Sequence, residues 1–240
     1  MLPRFVQRLS AGGRSAASIN HLHALEADLP SARSRFAIPY VFAGAGEFRS
    51  IRPRLRGDEA ESLYNEALAL RPRRVLQIGT RSGGCLYWWT QAATEDAILV
   101  SVGLPDDAPA DGDQHPLFPL IDAFRRGAQQ VRLFSDAATV AEVRDACHDE
   151  PIDLMFLDGQ ATPAAVATDF NRFAPLVRPD GLIAFHGIAA SHPGLGSAIA
   201  DLWPQLRQRY ETREYVADGS AHGVGVMVVP DADLEPIDLA

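Results

Sequence analysis

The chain has 240 residues, a length that suits one α/β domain or two smaller ones. Hydrophobic residues make up 47% and charged residues 22%, which excludes the disordered, collagen-like and low-complexity classes. The net charge of −9 leaves no positive field to draw in nucleic acid or anionic lipid, so neither is expected as a partner.

All 22 basic residues are Arg, which removes Lys Schiff bases, Lys general bases and the phosphate-gripping Lys of a P-loop. Cys85 and Cys147 lie far apart and suggest neither a zinc site nor a disulfide framework, so a reducing cytoplasm is the expected compartment. Met1 to Ser18 is interrupted by Pro3, Arg4, Arg8, Gly12, Gly13 and Arg14 and lacks the apolar stretch of a signal peptide. No run reaches transmembrane length.

In chain order, residues 1–50 have weak periodicity and read as an N-terminal extension with one short helix near His21 to Asp28. Asp58 stands three residues before Glu61 like a capping box, and Ala60, Leu63, Tyr64, Ala67 and Leu68 follow at helical spacing until Pro72. Val75 to Gly79 is a short apolar run ending at Gly; Gly83-Gly84 and a helix-like Cys85 to Ala93 follow, which predicts strand, tight turn and helix. Within that helix at least two of Tyr87, Trp88 and Trp89 are expected in the core.

The alternation then repeats. Strands are predicted at Ala97–Val102, Val131–Ser135, Ile152–Leu157 and Gly181–His186, and helices at Leu117–Arg126, Thr139–Cys147, Ala164–Leu176 and Ser197–Tyr210. Such alternation predicts a doubly wound, mostly parallel sheet covered on both faces. Thr212–Val216 and Gly223–Val229 are separated only by a turn around Asp218-Gly219-Ser220, so they are expected as an antiparallel hairpin on the sheet edge. Pro105 to His115, rich in Pro and Asp, is the long loop.

Ligands of such sheets bind outside the carboxyl ends of the strands. Gly79-Thr80-Arg81-Ser82-Gly83-Gly84 lets backbone approach a ligand beside a helix N-terminus, although many α/β folds need Gly there merely to turn. Asp158, after an apolar strand, can bind a hydroxyl, an amine or a metal, the competing role being a helix N-cap. His186 closes another strand at the same edge and reads as a base or ligand, or equally as a hydrogen-bonded loop His. His222, just before a strand, reads as structural.

Val75 to Gly84, the strand end Ile152 to Gly159, and Phe170 to Gly187 together resemble class I S-adenosylmethionine (SAM)-dependent methyltransferases. The branch resembled holds sugar and macrolide O-methyltransferases and cephalosporin hydroxylase-like proteins. The likeness runs from about Phe36 to Val229 and includes the entry segments Pro39 to Phe42 and Ser50 to Pro53. It implies a Rossmann-like seven-stranded sheet with a C-terminal antiparallel hairpin, residues 1–50 as an extension and 51–240 as the methyltransferase-like domain. It also implies SAM as cofactor, held by Gln77, Gly79, Thr80, Arg81, Gly83, Gly84, Gly103, Asp136, Ala137 and Asp158, with adenine near Ser135-Asp136-Ala137. The catalytic pair implied is His186, as general base, with Asp158, acting on a hydroxyl of a small-molecule substrate.

The sequence departs from that family in one direction. Gln77 stands where the family has an acid at the methionine end of the cofactor, and Gly103 where it has the ribose-binding acid. Metal-dependent members carry Asp-Gly-Asp-His and His-Asp where this chain has Asp158-Gly159-Gln160-Ala161 and His186-Gly187, so no tight metal site is expected. Loss of the ribose acid removes two charged hydrogen bonds, each worth about 1.5 to 3 kcal/mol. Asp106 or Asp107 could replace it from the long loop. On this reading, Gly103→Asp with Gln77→Glu should restore strong cofactor binding. The competing function is a catalytically silent methyltransferase-like protein serving as a binding or partner subunit; whether the chain forms a homo-oligomer is left open.

Overall fold

A computed structural model describes residues 40–44, 47–50, 55, 57–81, 83–104, 125–158, 162–189, 198–220 and 222–237. The predicted helix at His21–Asp28, the loop Pro105–His115 with Asp106 and Asp107, all but the end of the predicted helix Leu117–Arg126, and residues 159–161 lie outside the described residues.

Strands β1 (Tyr40–Gly44) and β2 (Glu47–Ser50) pair antiparallel with each other, an element not anticipated in the extension. Helix α1 (Gly57–Leu70) starts before Asp58, so that residue sits inside the first turn. Its carboxylate accepts from the neighbouring Glu59 N–H at 3.1 Å, in place of the expected cap. Ala60, Leu63, Tyr64 and Ala67 are buried, as their spacing requires. The helix ends where Arg71 turns left-handed (φ 50°) ahead of Pro72.

From there the chain alternates. Strand β3 (Arg74–Ile78) leads to α2 (Gly84–Ala92), β4 (Ile98–Leu104), β5 (Gln130–Ser135), α3 (Val140–Ala146), β6 (Ile152–Leu157), α4 (Pro163–Phe173), a 3₁₀ turn (Ala174–Leu176), β7 (Val177–His186), α5 (Ala198–Arg209), β8 (Thr212–Tyr215) and β9 (Val224–Val228). The sheet order is β5-β4-β3-β6-β7-β9-β8, with β9 antiparallel to both β7 and β8. Seven strands, mostly parallel and edged by a C-terminal hairpin, make the doubly wound Rossmann-like sheet that the sequence implies.

Helix α3 begins with a capping box. Thr139 Oγ1 accepts from Glu142 N–H at 3.2 Å while Glu142 accepts from Thr139 N–H at 2.7 Å. Strand β7 starts at Val177 rather than Gly181. It pairs with β6 at Ile152↔Val177, loses register around Pro179 and Asp180, and regains it at Leu154↔Leu182. Asp180 is left-handed (φ 57°) there, which makes a bulge of what reads as a turn in sequence.

Side chains alternate between two cores. Ile78, Val102, Leu157, Ile183 and Phe185 face α4 and α5. Val75, Leu99, Phe156, Leu182, Ala184, Val224 and Val226 face α1 and α2, where Trp88 and Trp89 are buried as expected. Strand period 2 therefore turns Gln77, Asp158 and His186 toward the α1/α2 face. Among the described residues no helix is long and apolar enough to cross a membrane.

Candidate functional site

The chain runs outward from β3 to β4 and β5, then returns past β3 to lay down β6, so the carboxyl ends of β3 and β6 border the crevice where strand order reverses. Gly79 follows β3 and Asp158 follows β6. Gly79 N–H donates to Val102 O at 2.7 Å and Asp158 N–H to Ile78 O at 2.9 Å, which continues the ladders past the strand ends. Gly79 is left-handed (φ 96°), and a Cβ there would lie 1.9 Å from the Asp158 carbonyl oxygen. Glycine at 79 is thus required by the approach of two strands.

Asp158 and His186 come together at this edge. The parallel register Leu157↔Phe185 sets the two residues side by side, and His186 Nδ1 lies 2.8 Å from Asp158 Oδ1. Both are buried, at 8% and 3% side-chain exposure. A carboxylate on Nδ1 fixes the imidazole with its proton on that nitrogen, leaving Nε2 as the acceptor. Nε2 is buried and has no hydrogen-bond partner among the described residues.

Arg81 closes the other side of the carboxylate, with Nε 3.2 Å from Asp158 Oδ2. The Arg81 backbone is left-handed (φ 47°), a conformation uncommon for a side chain of that size. Cys85, in the first turn of α2, is held well above the ordinary thiol range by burial and by the Asp158 carboxylate, against the opposing pull of Arg81. It therefore stays a neutral thiol. Burial beside Tyr64 pushes Tyr87 up to about 12, so its phenol too stays protonated.

The glycine turn ends at Gly83, left-handed at the N-cap of α2, with no side chain capping the helix. The N–H groups at the start of α2 are thus offered toward the loop, the arrangement that receives an anionic group. Asp136 and Ala137 sit exposed past the end of β5, two strands from β3. They lie along the same edge but apart from the Asp158–His186 pair.

Two sequence-predicted positions are engaged internally. Gln77 is 1% exposed; its Oε1 accepts from Trp89 Nε1–H at 2.9 Å and its Nε2 donates to Gly79 O at 2.8 Å. One lone pair of Oε1 and one N–H of Nε2 are thereby committed inside the protein. Thr80 Oγ1 lies 2.9 Å from Ser101 Oγ, which ties the loop to β4. Gly103 is left-handed (φ 121°), and a Cβ there would stand 3.0 Å from both Gly79 Cα and Thr80 N.

The surroundings of both positions add a stability cost to Gly103→Asp with Gln77→Glu. An Asp at 103 meets backbone in a strained conformation, and a Glu at 77 sets a carboxylate oxygen against the Gly79 carbonyl. The double variant is expected to lose about 2–5 kcal/mol, seen as a lower thermal midpoint.

Sequence reasoning missed one neighbour. The ring of His222 lies 5.4 Å from that of His186, brought there as Gly187 and Ala189 N–H donate to Gly223 and His222 carbonyls. The signal was the antiparallel pairing of β9 beside β7, whose register, once known, carries the hairpin turn to the same edge.

Residues 76–188 match a family model described as a methyltransferase domain. The chain is similar to cofactor-bound Rv0187 from MTB (17% identity, 97% and 99% of the two chains, TM-score 0.55). It is also similar to the O-methyltransferase TomG from Streptomyces achromogenes, solved with SAM (19% identity, 73% and 81% of the chains, TM-score 0.52). A third likeness is to the O-methyltransferase from Bacillus cereus, solved with SAH (14% identity, 92% and 96%, TM-score 0.51). At such identities the likeness is one of fold. The curated relative is the uncharacterized protein y4gI of Sinorhizobium fredii, 27% identical over 169 residues; these are 66% of this chain but only 17% of that longer protein. The architecture is that of the class I methyltransferases. The match to the methyltransferase-domain model falls on the part of this sheet that runs from β3 to the end of β7.

Proposed function

We propose that this chain is a SAM-dependent methyltransferase that methylates a hydroxyl group of a small molecule. The carrying observation is the Asp158–His186 pair, 2.8 Å apart at the strand-order crevice, with the His186 Nε2 buried and unpartnered among the described residues. Such a nitrogen is a general base awaiting a hydroxyl proton. SAM supplies a methyl group whose bond to sulfur breaks with its electron pair left on sulfur, as the acceptor oxygen forms the new O–C bond. The chain's own contribution is orientation and proton removal, which suffice for a displacement of this kind.

The donor set fits the cofactor at one end better than at the other. The uncapped start of α2 suits the carboxylate of the methionine portion, and Asp136 with Ala137 is placed to border the adenine. Gly103 offers no ribose acid, and Gln77 is engaged by Trp89 and Gly79, so affinity is expected to fall below that of an acid-bearing site. Residues 51–240 are taken as the catalytic unit and 1–50 as its extension, in keeping with β1 and β2 pairing only with each other. Two buried free thiols agree with a reducing compartment, and we assign the cytoplasm.

The same internal engagement of Gln77 favours a second reading, a silent methyltransferase-like subunit that has lost its cofactor. Calorimetric titration with SAM and SAH separates the two. Micromolar binding is expected, followed by methylation within a panel of hydroxylated small molecules; no binding at millimolar cofactor would leave the silent reading standing.

A further inference from the structure

We propose that Arg81 is the resident cation of this site: its guanidinium holds, beside Asp158, the place a divalent metal would take, and it stabilises the acceptor oxygen as that oxygen loses its proton to His186. The chemical half of this inference rests on the methyltransferase reading; the charge arrangement does not.

Asp158 has one carboxylate oxygen on His186 Nδ1, at 2.8 Å, and the other on Arg81 Nε, at 3.2 Å. A hard divalent cation needs several oxygen ligands, and it would have to displace a permanent positive charge to reach either of these. Among the described residues no group of three or more His, Cys, Asp or Glu side chains is arranged to hold a metal ion. The donor set does not fit a divalent ion, and the positive charge that such an ion would bring is already present.

Arg81 is also placed to act outward. Its side chain is 39% exposed while that of Asp158 is 3%, so the guanidinium joins a buried carboxylate to solvent. Only Nε is engaged among the described residues, and the terminal nitrogens carry the remaining donors of a planar, always charged group. Asp158 thus bridges two groups with different tasks. His186 takes the hydroxyl proton on Nε2, while Arg81 offers N–H donors to the charge that develops on oxygen as its lone pair forms the O–C bond. A donor already held by Asp158 needs less reorganisation at that moment than free solvent would. The left-handed backbone of Arg81 keeps the side chain over Asp158, and strain of this kind persists where the surroundings hold it.

The test uses the full chain with Arg81→Gln, Arg81→Lys and Asp158→Asn, each checked for a cooperative melt, and Mn²⁺ as the probe. Wild-type methyl transfer is expected to be unchanged by a chelator. Arg81→Gln should lower it about 10²-fold, the loss typical of one oxyanion donor, and Arg81→Lys should recover part of that loss by returning the charge. By paramagnetic resonance, Arg81→Gln should bind Mn²⁺ at least about tenfold more tightly than wild type, because one Asp158 oxygen is released. Saturable Mn²⁺ binding to the wild type that Asp158→Asn removes would overturn the proposal, as would equal Mn²⁺ affinity in wild type and Arg81→Gln, or undiminished transfer in Arg81→Gln. If no hydroxyl is methylated at all, the methyltransferase reading fails, and the Mn²⁺ comparison still decides whether Arg81 holds the cation place.

Discussion

His186→Asn is expected to lower methyl transfer by about 10²- to 10⁴-fold, the range supplied by a positioned general base. Asparagine keeps an N–H donor for the Asp158 carboxylate but has no basic nitrogen where Nε2 now stands. The affinity for SAM should stay within about threefold of wild type, because His186 ends β7, two strands away from the β3 turn that opens α2. Single-turnover rates and calorimetry on the same preparation check both halves. Transfer within tenfold of wild type would remove His186 from the chemistry. A fall in rate matched by lost cofactor affinity would make it a binding residue instead. The expectation is sharp because Nε2 is buried with no partner among the described residues, so none of them competes for the arriving proton.

The site was half legible in the sequence, and the division has a physical cause. Asp158 and His186 end apolar strands, and a polar residue ending such a run falls at the sheet's ligand-binding edge whatever the details of pairing. Their contact is another matter, since it depends on the register Leu157↔Phe185, which strand patterns leave free. The bond between Arg81 and Asp158 depends on a left-handed backbone that propensity argues against. Gln77 was read as a cofactor contact from its place in a motif. Its hydrogen bond from Trp89 comes from the next helix through the packing of α2 on β3, a tertiary fact. The fold was more legible. Strands buried on both faces read as continuous apolar runs, and the short turn before β9 left only an antiparallel hairpin. The start of β7 was misplaced because Pro179 and Asp180 have the chemistry of a turn, and here they form a bulge within a strand.

Gly79→Ala is expected to be the most damaging single-methyl change in the crevice. A Cβ at that position would lie 1.9 Å from the Asp158 carbonyl oxygen, far inside contact distance, and the residue holds φ 96°. The obstacle is backbone of the neighbouring strand, which cannot rotate away as a side chain can. Positive-φ strain with forced overpacking should cost about 3–5 kcal/mol, or a fall of roughly 6–20 °C in melting temperature. Gly219→Ala separates the two contributions, because Gly219 also has positive φ (69°) but nothing lies within 4 Å of its Cβ position. That variant should lose only about 1–2 kcal/mol from the backbone alone. If both variants melt alike, β3 and β6 are not held as close at Gly79 as the ladder bond from Asp158 N–H to Ile78 O requires. If Gly79→Ala is the worse by the expected margin, its glycine answers to the strand crossing first. Any loss of methyl transfer in that variant would then follow from displacement of Asp158, whose carboxylate orients His186 and holds Arg81.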